Sequence, residues 1–266
     1  MAASMRRRLR IGPATLAEGV SSMPDQQSKW KADAVAAVFL EDIRGAIPAA
    51  ALQIELIGQI VRAWCPRPGR ILDLGCGDGV LGRYLLDRHP EAHVVFADFS
   101  DPMLAAARKL LGATEQATVV KADVSSPAWL CAMEGQAPFD VVVSGFVIHH
   151  LPDSRKQALY GEVFGLLGPG GVFLNLEEVA SPSPAVETLH HDYFIDCIHA
   201  YQSKTGKSRS RDEIARAYAD RPTRDENLLA PVDDQCRWLR SLGFTDVDCF
   251  FKLFEMAIFG GRKPAG

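Results

Sequence analysis

The chain has 266 residues, 47% of them hydrophobic and 23% charged, and a formal net charge of -4. That is enough apolar material for one large or two small domains with a sizeable core, and the acidic balance supplies no global field for holding nucleic acid. No apolar run reaches the length that spans a bilayer, and the six scattered cysteines form no C-x-x-C pair, so a soluble, cytoplasmic protein with reduced thiols is expected.

Residues 1–28 carry Arg6, Arg7, Arg8 and Arg10, then a Gly-, Pro-, Ser- and Gln-rich stretch with little periodicity. They read as a disordered basic arm. A transit peptide is also basic and acid-poor at its start, but no clear amphipathic helix follows. From Ser28 to Ile47, Trp30, Val35, Val38, Phe39 and Ile43 recur at helical spacing, and the helix is expected to stop before Pro48. A second helix is predicted over 49–64, with Leu52, Leu56, Ile60 and Trp64 on one face and Ile57 and Val61 beside them. Residues 29–66 thus form a helical segment ahead of a main domain over 67–266.

The main domain is organised around 70–86, RILDLGCGDGVLGRYLL. Ile71 to Leu74 read as a buried strand, Gly75, Gly77 and Gly79 as a tight turn, and Val80, Leu81, Tyr84 and Leu85 as a helix start. Glycine lets backbone approach a ligand closely. Asp73 and Asp78 flank the turn, so its ligand should carry positive charge and hydroxyls rather than a bare phosphate. Gly77, Gly79 and Gly82 also spell the dinucleotide fingerprint G-x-G-x-x-G, but its first glycine should close the strand, and Gly77 lies two residues beyond the start of the turn at Gly75. The next strand, 93–97, ends in Asp98, placed to accept both hydroxyls of a ribose. Ser100 and Pro102 then open a helix. A third strand, 117–121, leads to Asp123, which either reaches the ligand or caps the following turn with Ser125. Asp73, Asp98 and Asp123 stand 25 residues apart in succession. One βα unit has that period, so all three reach one carboxyl edge of a parallel sheet.

Strands are also predicted over 139–145 and 172–176, the latter ending at Glu177 and Glu178. A helix over 153–167 between them is stopped by Gly168-Pro169-Gly170-Gly171. A helix over 232–243 precedes a sixth strand after Phe244 and a seventh over 256–261.

Taken together, DLGCGDG, DFSDPML, FDVVVSGFVIHHL, LLGPGGVFLNLEE and WLRSLGFTDV with its closing FGGRK resemble the class I S-adenosylmethionine (SAM)-dependent methyltransferases over about residues 50–261. The resemblance implies an α/β, Rossmann-like, seven-stranded, mostly parallel sheet with helices on both faces. Its last strand is antiparallel and inserts between the fifth and sixth. The N-terminal helices become a lid over the cofactor cleft, with Trp30, Lys31 and the segment around Phe39 as candidates, unless they simply pack on the core. S-adenosyl-L-methionine is the implied cofactor. Asp73 would lie near its ammonium, with Gly75, Cys76, Gly77 and Gly79 along the methionine part. Asp98 would take the ribose, Asp123 and the Val124 amide the adenine, with Phe99, Met103 and Ser144 alongside.

At the end of the fourth strand, His149 or His150 is placed to act as a general base, or both are structural. Residues 180–231 are an insertion with helices predicted over 185–201 and 212–219. In this family such an insertion commonly builds the acceptor pocket or a homodimer contact. Its candidates are His190, His191, Tyr193 and Tyr201, with Glu178 facing the acceptor side. Adjacent histidines point to different helix faces, so they do not make a two-His metal site, and no metal is expected. The expected activity is in-line methyl transfer to a small-molecule acceptor, without a nucleic-acid or membrane partner. Two alternatives remain: a tRNA-modifying enzyme, since the sequence also resembles bacterial carboxy-SAM users acting on wobble uridine, and a SAM-binding subunit without turnover.

Overall fold

Strand order determines where a ligand can enter. The computed structural model describes residues 44–207, 209–221 and 223–266. The strands are β1 (Arg70–Leu74), β2 (His93–Asp98), β3 (Ala117–Lys121), β4 (Phe139–Gly145), β5 (Leu167–Glu178), β6 (Thr245–Leu253) and β7 (Met256–Arg262). They form one sheet in the order β3-β2-β1-β4-β5-β7-β6. The first five run parallel, and β7 is antiparallel to both β5 and β6. From β1 the chain winds outward to β3, then returns to β4 on the other side. The strand order therefore reverses between β1 and β4, which opens a crevice beyond their carboxyl ends.

The helices are α1 (Ala50–Trp64), α2 (Val80–Arg88), α3 (Asp101–Leu111), α4 (Asp153–Leu166), α5 (Pro184–Lys204), α6 (Arg211–Ala219) and α7 (Val232–Ser241). Alternation along the strands feeds two cores. Ile71, Val94, Val141 and Val143 pack with Ile57, Val61 and Leu85 on one face of the sheet. Leu72, Val95 and Val142 pack with Leu159, Tyr160 and Leu239 on the other. Both faces are covered, which is why these strands read as unbroken aliphatic runs. A third, smaller core joins Phe194, Ile198, Ile214 and Tyr218 of α5 and α6 to Ala46. Among the described residues no helix is long and apolar enough to cross a membrane.

Three local expectations need correction or fall outside view. The packed face of α1 is Gln53, Ile57, Gly58 and Val61, and Leu52 is exposed. Gly58 faces the Tyr84 ring so closely that a Cβ there would stand 2.6 Å from it, which turns this side of the helix inward. The glycines at 168–171 do not separate helix from strand but form an irregularity inside β5, where Leu167 pairs with Phe139 and Val172 with Val141. Lys263 donates to the Phe164 and Leu167 carbonyls, and the chain passes directly from α4 into β5. The basic arm at 1–28, Trp30, Lys31, Phe39 and nearly all of the helix expected from Ser28 lie outside the described residues; the described part begins with a 3-10 turn at Arg44–Ala46.

Candidate active site

After Leu74 the chain turns through Gly75, Gly77 and Gly79, at φ of 67°, 55° and 84°. A Cβ at Gly75 would stand 2.2 Å from Val147 Cγ2, whereas at Gly77 it would meet nothing nearer than Met103 Sδ at 4.0 Å. Packing therefore requires the first glycine, and the second leaves bare backbone facing a cleft. The cleft has two adjoining lobes, about 1050 and 940 Å³ when the solvent-open space at their mouths is included, that share Ile47, Gly75, Gly77, Met103, Gly145 and Phe146.

Asp98, at the end of β2, lines the larger lobe. Its Oδ2 accepts from the Gly77 amide at 2.9 Å and its Oδ1 from the Ser100 amide at 2.8 Å. One carboxylate thus ties the glycine turn to the start of α3, and each oxygen keeps lone-pair capacity for a ligand hydroxyl. Burial pushes its pKa up, against the pull of those amides. Asp73 lines the smaller lobe and accepts from the Gly82 amide at 2.7 Å. Burial raises its pKa to about 7; the Gly82 amide opposes the rise and the charges of Asp98 and Asp78 add to it. A carboxyl poised near neutrality is one that a neighbouring cation would return to its ionised form. Cys76 lies between these acids, and burial pushes its thiol well up, so it lines the lobe as a neutral group.

Across the cleft, β4 ends at Gly145, and Phe146 follows at φ 56°, a conformation that a bulky residue holds only when its surroundings impose it. A 3-10 turn, Ile148–His150, comes next. His149 is buried beside Glu177, whose Oε1 lies 2.5 Å from His149 Nδ1 and whose Oε2 accepts from the His149 amide at 3.0 Å. Nδ1 therefore carries a proton and Nε2 is the basic nitrogen of the neutral ring. Burial works to lower the pKa of His149, but the charge and hydrogen bond of Glu177 outweigh it and the net shift is upward. The His150 ring stands 3.9 Å from that of His149, and its Nδ1 lies 3.1 Å from the Glu226 carbonyl. Burial, and then His149, lower its pKa to about 3, so His150 is neutral at working pH. Of these adjacent histidines, only His149 is set to exchange a proton.

The segment before α7 is strapped to this turn. The Leu228 amide donates to the His149 carbonyl at 2.8 Å. Lys156, fully buried, donates to the Leu151 and Leu228 carbonyls and to Asp153. The strap brings Arg221, Thr223 and Asn227 into the wall of the larger lobe. Asn227 Nδ2 donates to Glu178 Oε2 at 3.1 Å, and the Arg221 guanidinium lies over the Tyr218 ring, 3.9 Å from its centroid.

Of the residues singled out from the sequence, Gly75, Gly77, Asp98, Phe99, Met103, His149, His150 and Glu178 line the larger lobe, and Asp73 and Cys76 the smaller. The others stand off the cleft, each for a visible reason. Gly79 precedes α2 and packs toward Phe96. Asp123 is exposed and accepts from the Ser125 amide at 3.0 Å, while the Val124 side chain is buried and its carbonyl accepts from Arg155. Ser144 is buried in the sheet, donating to the Leu74 carbonyl at 2.8 Å. His191 packs edge-on to Tyr218, Tyr193 against Phe254, and Tyr201 against Gly45. His190 lies behind Glu178, near Glu255. Sequence reasoning missed Phe146, Arg221, Asn227 and the role of Glu177. The one available signal was the pair Glu177-Glu178 at a strand end, where successive side chains point to opposite faces.

Residues 72–173 match a family model described as a methyltransferase domain. The chain is 26% identical over 227 residues to a carboxy-S-adenosyl-L-methionine synthase of Citrifermentans bemidjiense, covering 84% of this chain and 88% of that one. It is 29% identical over 209 residues to the protein of that name from Trichodesmium erythraeum, covering 76% of each. Among solved structures, an O-methyltransferase family protein from Burkholderia thailandensis superposes with a TM-score of 0.61 at 17% identity, over 88% of this chain and 60% of that one. Magnesium protoporphyrin IX methyltransferase from Synechocystis gives 0.53 at 16% identity, over 84% and 86%. The fold is that of these methyltransferases.

Proposed function

We propose, for a chain that carries a class I SAM-dependent methyltransferase domain, that it moves the methyl group of SAM onto a small-molecule acceptor held between His149 and Arg221. The observation that carries this reading is the buried His149–Glu177 pair, whose His149 lines the same cleft as the glycine turn and Asp98.

The cleft fits the cofactor by its bare backbone and its carboxylate acceptors. Bare backbone at Gly77 lets a ligand lie close, Asp98 has lone pairs for ribose hydroxyls, and Asp73 awaits a cation. SAM, when bound, supplies a methyl group already activated on a sulfonium, so alignment and exclusion of water are the main tasks of the protein. Phe146 and Met103 form an apolar part of the wall between the lobes. His149 Nε2 takes the proton of the acceptor nucleophile, while Glu177 holds the ring in the required tautomer and stabilises its charged form. Six unpaired thiols among the described residues fit a reducing compartment, the cytoplasm.

The test is calorimetric titration of the purified chain with SAM, S-adenosylhomocysteine, carboxy-SAM and NAD, followed by transfer of a labelled methyl group from SAM to a panel of phenols, carboxylic acids and amines. Binding of SAM and S-adenosylhomocysteine without NAD, followed by label in one acceptor class, supports the proposal. NAD binding alone would sink it. A second reading, in which the chain makes or uses carboxy-SAM, is favoured by the name of the relatives and by Arg221, since a guanidinium in a cleft wall is suited to a carboxylate. Tighter binding of carboxy-SAM than of SAM would bring it forward.

A further inference from the structure

Behind the acceptor side of the cleft, three side chains from three elements converge. Glu178 ends β5, His190 lies on α5, and Glu255 sits in the turn between β6 and β7. One donor atom from each lies within 4.8 Å of the other two. His190 is 1% exposed, and neither of its ring nitrogens has a hydrogen-bond partner among the described residues. Its Nε2 stands 3.5 Å from Glu255 Oε2 and 3.8 Å from Glu178 Oε1.

Those separations decide between two arrangements. An imidazolium held between two carboxylates would draw at least one into an N–H···O bond of about 2.7–3.2 Å. Donors sharing a tetrahedral cation at bond lengths of about 2.0–2.2 Å stand roughly 3.3–3.6 Å apart, which is close to the two separations from His190, with all three donors within 4.8 Å of one another. The outer oxygens are also occupied in the way metal ligands require. Glu255 Oε1 accepts from Ser181 Oγ at 2.6 Å, and Glu178 Oε2 from Asn227 Nδ2 at 3.1 Å. Each carboxylate is thereby fixed by a partner on one oxygen, with the other turned to His190. Without a cation, the cluster buries an imidazole that makes no hydrogen bond among the described residues and sets two carboxylates side by side, and both are unfavourable.

We propose that Glu178, His190 and Glu255 bind one divalent transition-metal cation of the zinc type, through one oxygen of each carboxylate and a ring nitrogen of His190. One nitrogen with two carboxylate oxygens suits zinc, or manganese as the nearest substitute, better than magnesium, which prefers oxygen and retains its water. Glu178 lines the cleft, so the remaining coordination position lies on the acceptor side, where an acceptor hydroxyl or carboxylate oxygen would fill it. The site stands apart from the methyl-transfer reading, because cation binding is measured without turnover.

The experiment strips the full chain with a chelator, desalts it and titrates it with Zn²⁺ alone, with Mn²⁺ and Mg²⁺ as parallel arms. One zinc per chain is expected, with weaker binding of Mg²⁺ and a rise in unfolding temperature on adding Zn²⁺. X-ray absorption of the zinc-loaded chain should show nitrogen and oxygen neighbours without sulfur. Glu255→Gln and His190→Gln should each weaken zinc roughly tenfold or more. If His190→Gln fails to fold, Glu255→Gln carries the test, since its amide oxygen still accepts from Ser181. Substoichiometric zinc in the parent, sulfur in the coordination shell, or parental affinity in the folded variants would overturn the proposal.

Discussion

The wall formed by β1, β2 and the glycine turn is made largely of main chain and two carboxylates from one stretch, 73–98. The opposite wall collects His149, Glu177, Glu178, Arg221 and Asn227 from separated stretches and depends on side chains meeting across them. On the proposed reading the first wall is the cofactor wall, which would hold its ligand through backbone, and the second is the acceptor wall, which would select its ligand through single side chains. Substitutions in the two walls should therefore separate cofactor binding from transfer.

The largest effect is expected at His149. In His149→Ala the proposed proton acceptor is lost and turnover should fall by about 10²–10⁴, while SAM affinity measured by calorimetry changes by less than about twofold, because no cofactor contact is assigned to that ring. The parent should lose activity as pH falls through a value above the ordinary histidine pKa, since Glu177 holds the proton on the ring. In the variant that acidic limb should vanish. A full loss of SAM binding would show that His149 belongs to the cofactor wall.

Asp98→Ala tests the other wall. It removes the acceptor for the Gly77 and Ser100 amides as well as the expected ribose bonds, so SAM affinity should fall by about 1.5–3 kcal/mol, roughly ten- to hundredfold. Unchanged affinity would mean that the ribose lies elsewhere.

The difference between the walls is also why one was legible in the sequence. Asp73, the glycines and Asp98 act through a local pattern, strand then turn then helix, whose spacing is set by backbone geometry alone. The positions of the strands followed from periodicity, whereas the insertion of the last strand between the fifth and sixth came with the resemblance to the methyltransferases. The acceptor wall has no such period. That Glu177 rather than Glu178 supports His149, or that Lys156 fixes residue 228 beside it, depends on pairings between residues some 28 and 72 positions apart. Tyr193 and Tyr201 were conspicuous in the sequence because they are aromatic, yet aromatic residues more often pack than bind, and these two pack on Phe254 and Gly45.

A milder test of the cofactor wall is pH. With a pKa of about 7, Asp73 is partly protonated near neutrality, and an ammonium beside it favours the ionised form. Binding of SAM should therefore release protons near pH 7, detectable by calorimetry in buffers of different ionisation enthalpy. Affinity should weaken as pH falls below about 7, by up to about tenfold per unit. Asp73→Asn, which keeps an oxygen for the Gly82 amide, should flatten the dependence. A dependence unchanged in Asp73→Asn would place the ammonium away from this carboxyl.

The smallest effects mark where the acceptor wall ends. Asn227 bridges the strap to Glu178 at 3.1 Å, so Asn227→Ala should lower kcat/KM for the identified acceptor by about 1 kcal/mol, roughly fivefold, with SAM affinity unchanged. Tyr193 is 39% exposed and its ring lies 5.7 Å from that of Phe254, outside the cleft. Tyr193→Ala should leave kcat/KM within about twofold and cost less than about 1 kcal/mol of stability. Tyr193 follows His190 by one helical turn on α5 and both rings pack on Phe254, but His190 is buried and Tyr193 exposed. A tenfold loss in Tyr193→Ala would therefore mean that the acceptor reaches past Phe254 onto the exposed part of that helix, and the boundary between the wall and the solvent face of the insertion would have to be redrawn there.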